Sequence, residues 1–180
     1  MKKFILKNYV TEKTLSVYFN KLYKICRSIL GEGFRDSLEI LGELVDLKIK
    51  KVRSGTNVLD WTVPDEWNIK DAYIVDPKGR KFAEFKKHNL HIVGYSEPIN
   101  KTISLNELKK NLHTLKDQPE AIPYVTSYYK RSWGFCIKYN EYKKLKPGNY
   151  KVFIDSKIKP GHLVYSDKLI KGKSKKEILL

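Results

Sequence analysis

The spacing of apolar residues changes near Leu47, and this change limits the folds that the 180-residue chain can adopt. Between Val10 and Leu30, apolar side chains recur every three or four positions, as on one face of an amphipathic helix. "GEG", with Gly31 and Gly33, follows, and glycine is a common helix stop because it tolerates left-handed backbone. A second helical pattern runs over residues 34–44. The amino-terminal part is therefore predicted to be a hairpin of two helices.

Beyond this point the sequence is typical of short β-strands separated by turns. "LKIKKVRSG", from Leu47 to Gly55, alternates apolar and basic residues, as a half-buried strand does. "DAYIVDPKGRKFAEF" predicts a hairpin whose turn is Asp76–Gly79. "PGNYKVFIDS" and "GHLVYSDKLI" predict two further strands. The region up to about Lys173 is thus expected to be mostly β.

Two short helices are predicted within this β region. "SLNELKKNL" begins with a capping box, in which Ser104 accepts a backbone hydrogen bond and Glu107, three residues on, returns one. "NEYKKLKPG" predicts a helix that ends at Pro147-Gly148. The fold class that these patterns indicate is α/β, with an amino-terminal helix hairpin and a mostly β region containing short helices.

Composition narrows the classes of function. The net charge of +16 invites a nucleic-acid interpretation. Only five of the 36 basic residues are arginine, the residue that planar phosphate and base recognition favours, so most of the charge is expected to be a solvated lysine surface. No apolar run approaches the roughly 18 residues of a membrane span or resembles a signal peptide. The two cysteines, Cys26 and Cys136, lack CxxC spacing, and the chain is expected to be cytoplasmic with no membrane contact.

The common short catalytic signatures are absent from the sequence: it has no GxSxG, Walker, GxGxxG or HExxH motif. His88 and His91 are three apart in "KKHNLH", but no cluster of further ligands accompanies them, which favours structural roles over metal binding. Carboxylates also stand among two tryptophans in "DWTVPDEWNIKDAY". They can line a sugar or peptide pocket, although a turn with capping acids is the commoner explanation. These carboxylates are Asp60, Asp65, Glu66 and Asp71.

The stretch "IPYVTSYYKRSWGFC", residues 122–136, concentrates aromatic side chains with two cations. "RSWGFC" loosely resembles the strand of an RNA-recognition sheet, but Ser132 and Cys136 replace the expected glycine and aliphatic residue. A small β domain also needs aromatic residues in its core, and Tyr128, Trp133 and Phe135 are the alternative candidates for that role. For Phe135 the core is the favoured position, while Trp133 fits core and pocket about equally.

Four segments, taken in order, resemble a family of prokaryotic zinc-aminopeptidase-like proteins. They are "LYKICRSILGEGFRDSLEIL", "VRSGTNVLDWTVPDEWNIKDAYIVDPKGRKFAEFKKHNLHIVGYSEPI", "LHTLKDQPEAIPYVTSYYKRSWGFCI" and "GHLVYSDKLIKG". In that family an aminopeptidase fold carries an inserted, mostly β domain of unknown function and usually a carboxy-terminal winged helix. The resemblance is collinear and covers about residues 15–180.

The resemblance implies a division of the chain. Residues 1–57 would be the amino-terminal part of the aminopeptidase-like core, residues 58–172 the inserted domain, and residues 173–180, with "KEILL", a strand returning to the core sheet. The family's metal ligands follow that strand, so zinc is expected for the complete protein and none for this segment. Because the apolar run stops at Leu180, the chain is expected to be a truncated, inactive portion of such a hydrolase.

Within this framework, aromatic residues of the inserted domain are predicted to overhang the catalytic cleft. Tyr129 and Arg131 are the main candidates for substrate binding, with Tyr128 and Trp133 beside them; no catalytic residue or metal ligand is assigned in these 180 residues. The predicted function is a zinc-dependent aminopeptidase-type hydrolase acting on a peptide or amide-type small substrate. The alternative is a non-catalytic module that binds RNA or another acidic polymer through its lysine surface.

Overall fold

The computed structural model of the protein describes residues 11–173. It contains four α-helices, one 3-10 helix and ten strands within that range. In chain order they are α1 (Glu12–Tyr23), α2 (Glu32–Gly42), β1 (Lys48–Arg53), β2 (Asn57–Val58), β3 (Trp61–Thr62), β4 (Glu66–Val75), β5 (Lys81–Phe82), the 3-10 helix (Asn89–His91), β6 (Ile99–Ser104), α3 (Leu105–Lys109), β7 (Leu112–His113), β8 (Phe135–Cys136), α4 (Tyr139–Tyr142), β9 (Asn149–Lys159) and β10 (His162–Asp167). The predicted mixture of helix and sheet is confirmed.

An antiparallel sheet of four strands, in the order β5-β4-β9-β6, forms the centre of the molecule. Along β9, alternate side chains from Tyr150 to Ser156 are buried, as expected for a strand with one face on the core. β4 keeps its apolar residues on the same face only because the register shifts between Ile69 and Asp71. Side chains alternate between the two faces of a strand, and the extra residue of this bulge reverses that alternation. Trp67 before the bulge and Ile74 after it therefore both reach the core.

The core lies between this sheet and the irregular segments that cover it. Leu105 and Leu108 of α3 pack there with Ile92, and Phe135 of β8 is fully buried among them. Phe135 is therefore a core residue, as predicted. A side chain enclosed in this way has no exposed face for a nucleotide base, so "RSWGFC" is not an RNA-stacking strand here.

The first helix is shorter than predicted. Residues 10–30 carry a continuous helical pattern, but α1 ends at Tyr23, and Val10 lies outside the described residues. Cys26 and Ile29 pack against the central core instead of continuing the helix, and the backbone carbonyl of Ile25 accepts a hydrogen bond from the side chain of Asn89. The apolar spacing thus arises from two structures, a helix and then an irregular segment. α1 itself buries none of its residues within the described part of the chain.

Two of the predicted local elements are present in the structure. The hairpin over Asp76–Gly79 is confirmed by the pairing of β4 with β5. At the start of α3, the side chain of Ser104 accepts a hydrogen bond from the backbone N–H of Glu107, as predicted. The turn interpretation of "DWTVPDEWNIKDAY" is wrong for Glu66, which begins the long strand β4. The predicted returning strand "KEILL" lies outside the described residues.

β1 and β10 form a separate antiparallel ribbon, with Arg53 opposite His162 and Lys48 opposite Asp167. The ribbon therefore holds the two ends of segment 54–161 side by side. The predicted domain boundaries, at 57/58 and 172/173, assign these two strands to different parts of the chain, and those boundaries stay a prediction. Among the described residues, no helix combines the length and the apolar character needed to cross a bilayer.

Candidate functional site

A cleft of about 300 Å³ contains three of the four predicted binding residues. We call it the tyrosine cleft. Its lining includes Asp65, Tyr95, Tyr128, Tyr129, Lys130 and Arg131. Trp133 does not line it; this side chain is half-buried and packs against the central core. The structure thus brings Tyr128, Tyr129 and Arg131 together in this cleft, and Trp133 is not part of its lining.

A chain of aromatic rings connects the tyrosine cleft to the core. Trp67 stacks on Tyr95 at 6.0 Å between ring centroids, Tyr95 meets Tyr128 edge-on at 5.8 Å, and Tyr128 lies 4.3 Å from Tyr129. Trp67 is itself fixed, because its indole N–H donates a 2.9 Å hydrogen bond to the carbonyl of the buried Ser96. The rings near the core therefore position Tyr128, and Tyr129 at the end of the chain is 78% exposed. Tyr129 is free to contact a ligand.

Tyr95 holds the backbone of Asp65, which also lines the cleft. Its hydroxyl donates a 3.0 Å hydrogen bond to the main-chain carbonyl of Asp65. Burial raises the pKa of Tyr95 well above its ordinary value, so the hydroxyl stays protonated and remains a donor at neutral pH. The sequence analysis missed this residue, because nothing in "VGYSEP" distinguishes a core tyrosine from one that shapes a cleft.

A weak ion pair crosses the mouth of the cleft. The guanidinium of Arg131 lies 3.4 Å from the carboxylate of Asp65, and the two side chains are 57% and 34% exposed. Exposed pairs of this kind contribute about 0–1 kcal/mol, so a ligand can compete for either partner. A carboxylate on a ligand can take the place of Asp65 at Arg131, and the planar guanidinium suits two parallel hydrogen bonds to it.

Two other acids of the "DWTVPDEWNIKDAY" segment, Glu66 and Asp71, have structural contacts, whereas Asp60 is exposed. Both carboxylate oxygens of Glu66 accept hydrogen bonds from Arg35, at 2.7 and 3.2 Å, and one also accepts the backbone N–H of His162 at 3.0 Å. Asp71 forms an ion pair with Lys86 at 3.3 Å. Glu66 is buried and fully occupied, so it connects elements of the fold rather than serving as a catalytic acid or base.

His88 and His91 also have backbone partners. Nδ1 of His88 accepts the backbone N–H of Leu90, and Nδ1 of His91 donates to the carbonyl of Cys136 at 2.8 Å. Burial lowers the pKa of His91, so the imidazole is neutral at pH 7. Burial raises the pKa of the Cys136 thiol to about 12, which keeps it protonated.

Zinc requires a set of nitrogen, sulfur or carboxylate ligands that converge on one point. Within residues 11–173, no group of three or more His, Cys, Asp or Glu side chains has that arrangement. The described residues therefore do not fit a zinc site.

The central sheet and the tyrosine cleft lie within a region that is similar to a known protein family. A family model described as a domain of unknown function, DUF2172, matches residues 66–157, just over half of the chain. The chain belongs to the DUF2172 family. The match runs from the first residue of β4 almost to the end of β9, so this DUF2172 domain includes the four-stranded sheet and the aromatic residues of the tyrosine cleft.

The relatives of this DUF2172 protein carry names that refer to peptidases. One, from Clostridium acetobutylicum, is the "Putative polysaccharide biosynthesis protein with aminopeptidase-like domain"; it is 48% identical over 160 residues, which make up 89% of this chain and 37% of the relative. A crystal structure of a "putative peptidase" from the same organism is 46% identical, with a TM-score of 0.80 over 86% of this chain and 37% of the solved chain. The resemblance to aminopeptidase-like proteins is confirmed at this level, and the nucleic-acid alternative is not favoured. The chain spans a little over a third of the length of either relative.

Proposed function

We propose that this DUF2172 chain is part of a peptidase-like hydrolase and that its sheet domain supplies one wall of the substrate cleft. The observation that carries the proposal is the similarity to the solved "putative peptidase", at 46% identity and a TM-score of 0.80. Such close agreement in both sequence and backbone supports a shared role for the matched region. The name of the curated relative, which includes an aminopeptidase-like domain, points in the same direction.

The tyrosine cleft is the part of the domain best suited to contact a substrate. Tyr128 and Tyr129 offer aromatic surface for an apolar side chain of a peptide, and Arg131 offers a planar cation for a carboxylate. The weak pairing of Arg131 with Asp65 leaves the guanidinium available. Peptides and related amides that combine an apolar group with a carboxylate are the substrate class that fits. Trp133 packs against the central core, and we assign it no contact with the substrate.

The zinc dependence of the hydrolase belongs to the proposal for the complete protein. Because residues 11–173 do not fit a zinc site, we assign no catalytic step to these residues, and the chain alone is expected to lack peptidase activity. The metal ligands would come from a part of a longer protein that corresponds to the remaining length of the relatives. Localisation in the cytoplasm is a further prediction for that protein.

The test is made on the complete protein, expressed from its native locus. Elemental analysis should find zinc, and amino-acid anilides should be hydrolysed. Tyr129→Ala and Arg131→Ala are expected to raise KM about tenfold with less change in kcat, because they remove contacts to bound substrate rather than to the reacting atoms. Lys78→Ala, on a turn remote from the cleft, is the matched control. No hydrolysis by a zinc-loaded protein would contradict the proposal, as would full activity and unchanged KM in both cleft variants.

A further inference from the structure

A second and larger cavity, of about 570 Å³, lies on the other side of Tyr128. Most of its lining comes from three segments that are distant in sequence. They are residues 23–29, from the last residue of α1 onward, residues 85–90, which run into the 3-10 helix, and the alternate residues Tyr124, Thr126 and Tyr128. Volumes of several hundred Å³ are typical of sites for small molecules. Among residues 11–173, Tyr128 is the one lining residue that this cavity shares with the tyrosine cleft. We call it the basic cavity, for the charges described next.

The charged side chains around the basic cavity are all cationic or imidazole. They are Lys24, Arg27, Lys86, Lys87 and His88. No Asp or Glu lines the cavity in the described part of the chain. Lys86 and Lys87 each pair with one acid outside it, at 3.3 Å to Asp71 and 2.6 Å to Glu84. Among residues 11–173, Lys24 and Arg27 form no ion pair. The cavity therefore carries an excess of positive charge, which favours an anion.

Aromatic rings form much of the remaining surface. Tyr124 is 73% exposed and Tyr23 is 55% exposed, while Phe85 and Tyr128 are half-buried. Tyrosines with this much exposed surface present a π-face to solvent, and a flat ring can stack on such a face. The site thus offers two kinds of contact, one for negative charge and one for a ring.

The thiol at the base of this cavity is unsuited to covalent chemistry. Cys26 lines the cavity, and burial raises the pKa of its thiol to about 11, although the neighbouring Arg27 opposes this shift. A protonated thiol is a poor nucleophile at neutral pH. The cavity is consequently better suited to binding than to catalysis.

We propose that the basic cavity binds a small phosphate monoester that carries a flat ring. A phosphate dianion can compensate both Lys24 and Arg27, whereas a single carboxylate would compensate only one of these two cations. Lys24 and Arg27 contact the phosphate, and the exposed face of Tyr124 stacks on the ring. The site is separate from the tyrosine cleft, so its occupancy does not depend on the peptidase-like function proposed above.

Isothermal titration calorimetry on the 180-residue chain tests the assignment with four probes. Phenyl phosphate contains both groups, inorganic phosphate only the anion, phenol only the ring, and benzoate a ring with a carboxylate. Phenyl phosphate is expected to bind at least about tenfold more tightly than each of the others, because only it makes both contacts with a dianion. Equal affinity for inorganic phosphate would overturn the role of the rings, and equal affinity for benzoate would overturn the choice of phosphate.

Two variants locate the bound phenyl phosphate. Lys24→Ala and Tyr124→Ala change exposed side chains, so both should fold, and circular dichroism checks that they do. Each is expected to weaken binding about threefold to tenfold. Lys78→Ala and Tyr165→Ala make the same chemical changes away from the cavity and should leave the affinity unchanged.

A measurement on the unsubstituted chain complements the variants. The affinity for phenyl phosphate should fall as salt rises from about 0.05 M to about 0.5 M, because the cations are partly exposed and are screened. Affinity that is insensitive to salt would refute the inference, as would binding that survives in both cavity variants.

Discussion

The ion pair between Glu66 and Arg35 allows the most direct test of how the helix hairpin is attached to the sheet. Glu66 begins β4, Arg35 lies in α2, and the third partner of the carboxylate is the backbone N–H of His162 in β10. Glu66 is only 6% exposed as a residue. Substitution of Glu66 by glutamine keeps the size of the side chain and removes its charge, so the ion pair with Arg35 is lost.

The expected cost follows from the burial of the two partners. Breaking a fully buried ion pair costs about 3–5 kcal/mol, because one charge is left without compensation. The side chain of Arg35 is 33% exposed, so water can hydrate the released guanidinium, and the glutamine oxygen can still accept one hydrogen bond. We therefore expect Glu66→Gln to lower the free energy of unfolding by about 2 kcal/mol at pH 7.

Urea unfolding measures this difference without adding salt that would screen the pair. Glu39→Gln, an exposed position in the same helix as Arg35, makes the same change of charge and should alter stability by less than about 0.5 kcal/mol. A double-mutant cycle with Arg35→Met isolates the pair and should give a coupling of at least about 1 kcal/mol. A coupling near zero would refute the assignment of the stabilisation to this contact.

The pH dependence of the free energy of unfolding gives an independent check that the charged form of Glu66 stabilises the fold. Burial by itself raises the pKa of Glu66, but the hydrogen bonds from Arg35 and from the N–H of His162 outweigh it, and the net pKa lies below the ordinary value. A lowered pKa means that the stabilisation is fully present above the unfolded-state pKa of about 4.3 and is lost as the pH falls through the folded-state value. The difference between the native chain and Glu66→Gln should therefore be constant from pH 6 to 8 and shrink below about pH 4.

Three further predictions concern single residues. Burial raises the pKa values of Cys26 and Cys136 to about 11 and about 12. Iodoacetamide at pH 8 should therefore label both thiols much more slowly in the native chain than in urea, and equal labelling rates would show that neither thiol is protected. Ser104→Ala removes the side-chain acceptor at the start of α3 and should cost about 1 kcal/mol in urea unfolding, with Ser104→Asn close to neutral; equal losses in both would exclude capping as the cause. Gly161→Ala places a methyl group against the side chain of Glu66 and should lower the free energy of unfolding by about 1–3 kcal/mol. An unchanged midpoint of thermal unfolding would show that the Glu66 side chain has room to move.

Local rules predicted the elements whose conformation is decided by neighbouring residues. The turn at Asp76–Gly79 forms because Gly79 adopts a φ of 82°, and the side chain of Asp76 accepts the backbone N–H groups of Lys78 and Arg80. The start of α3 likewise depends on the single hydroxyl of Ser104. Each of these signals lies within four residues of the structure that it specifies, so both elements could be predicted from the sequence.

Elements that depend on distant partners were not predictable in the same way. The end of α1 at Tyr23 depends on the core that receives Cys26 and Ile29, and a helical spacing does not reveal that core. The bulge between Ile69 and Asp71 is visible only against the register of β9. In the tyrosine cleft, neighbouring residues 128, 129 and 131 were predicted together, whereas Tyr95 joins them through contacts across more than 30 positions.

The ribbon of β1 and β10 has a consequence for how the sheet domain can be gained, lost or exchanged. Arg53 and His162 are direct neighbours across the ribbon, so the polypeptide leaves and re-enters at almost the same point in space. A two-residue turn, such as Asn-Gly, is long enough to connect Arg53 to His162 directly, which would join β1 and β10 as an ordinary hairpin without residues 54–161. Both chain connections of residues 54–161 thus pass through one paired stem, an arrangement that tolerates insertions between its strands, while the Glu66–Arg35 ion pair and the packing of Cys26 hold the sheet domain against the helix hairpin.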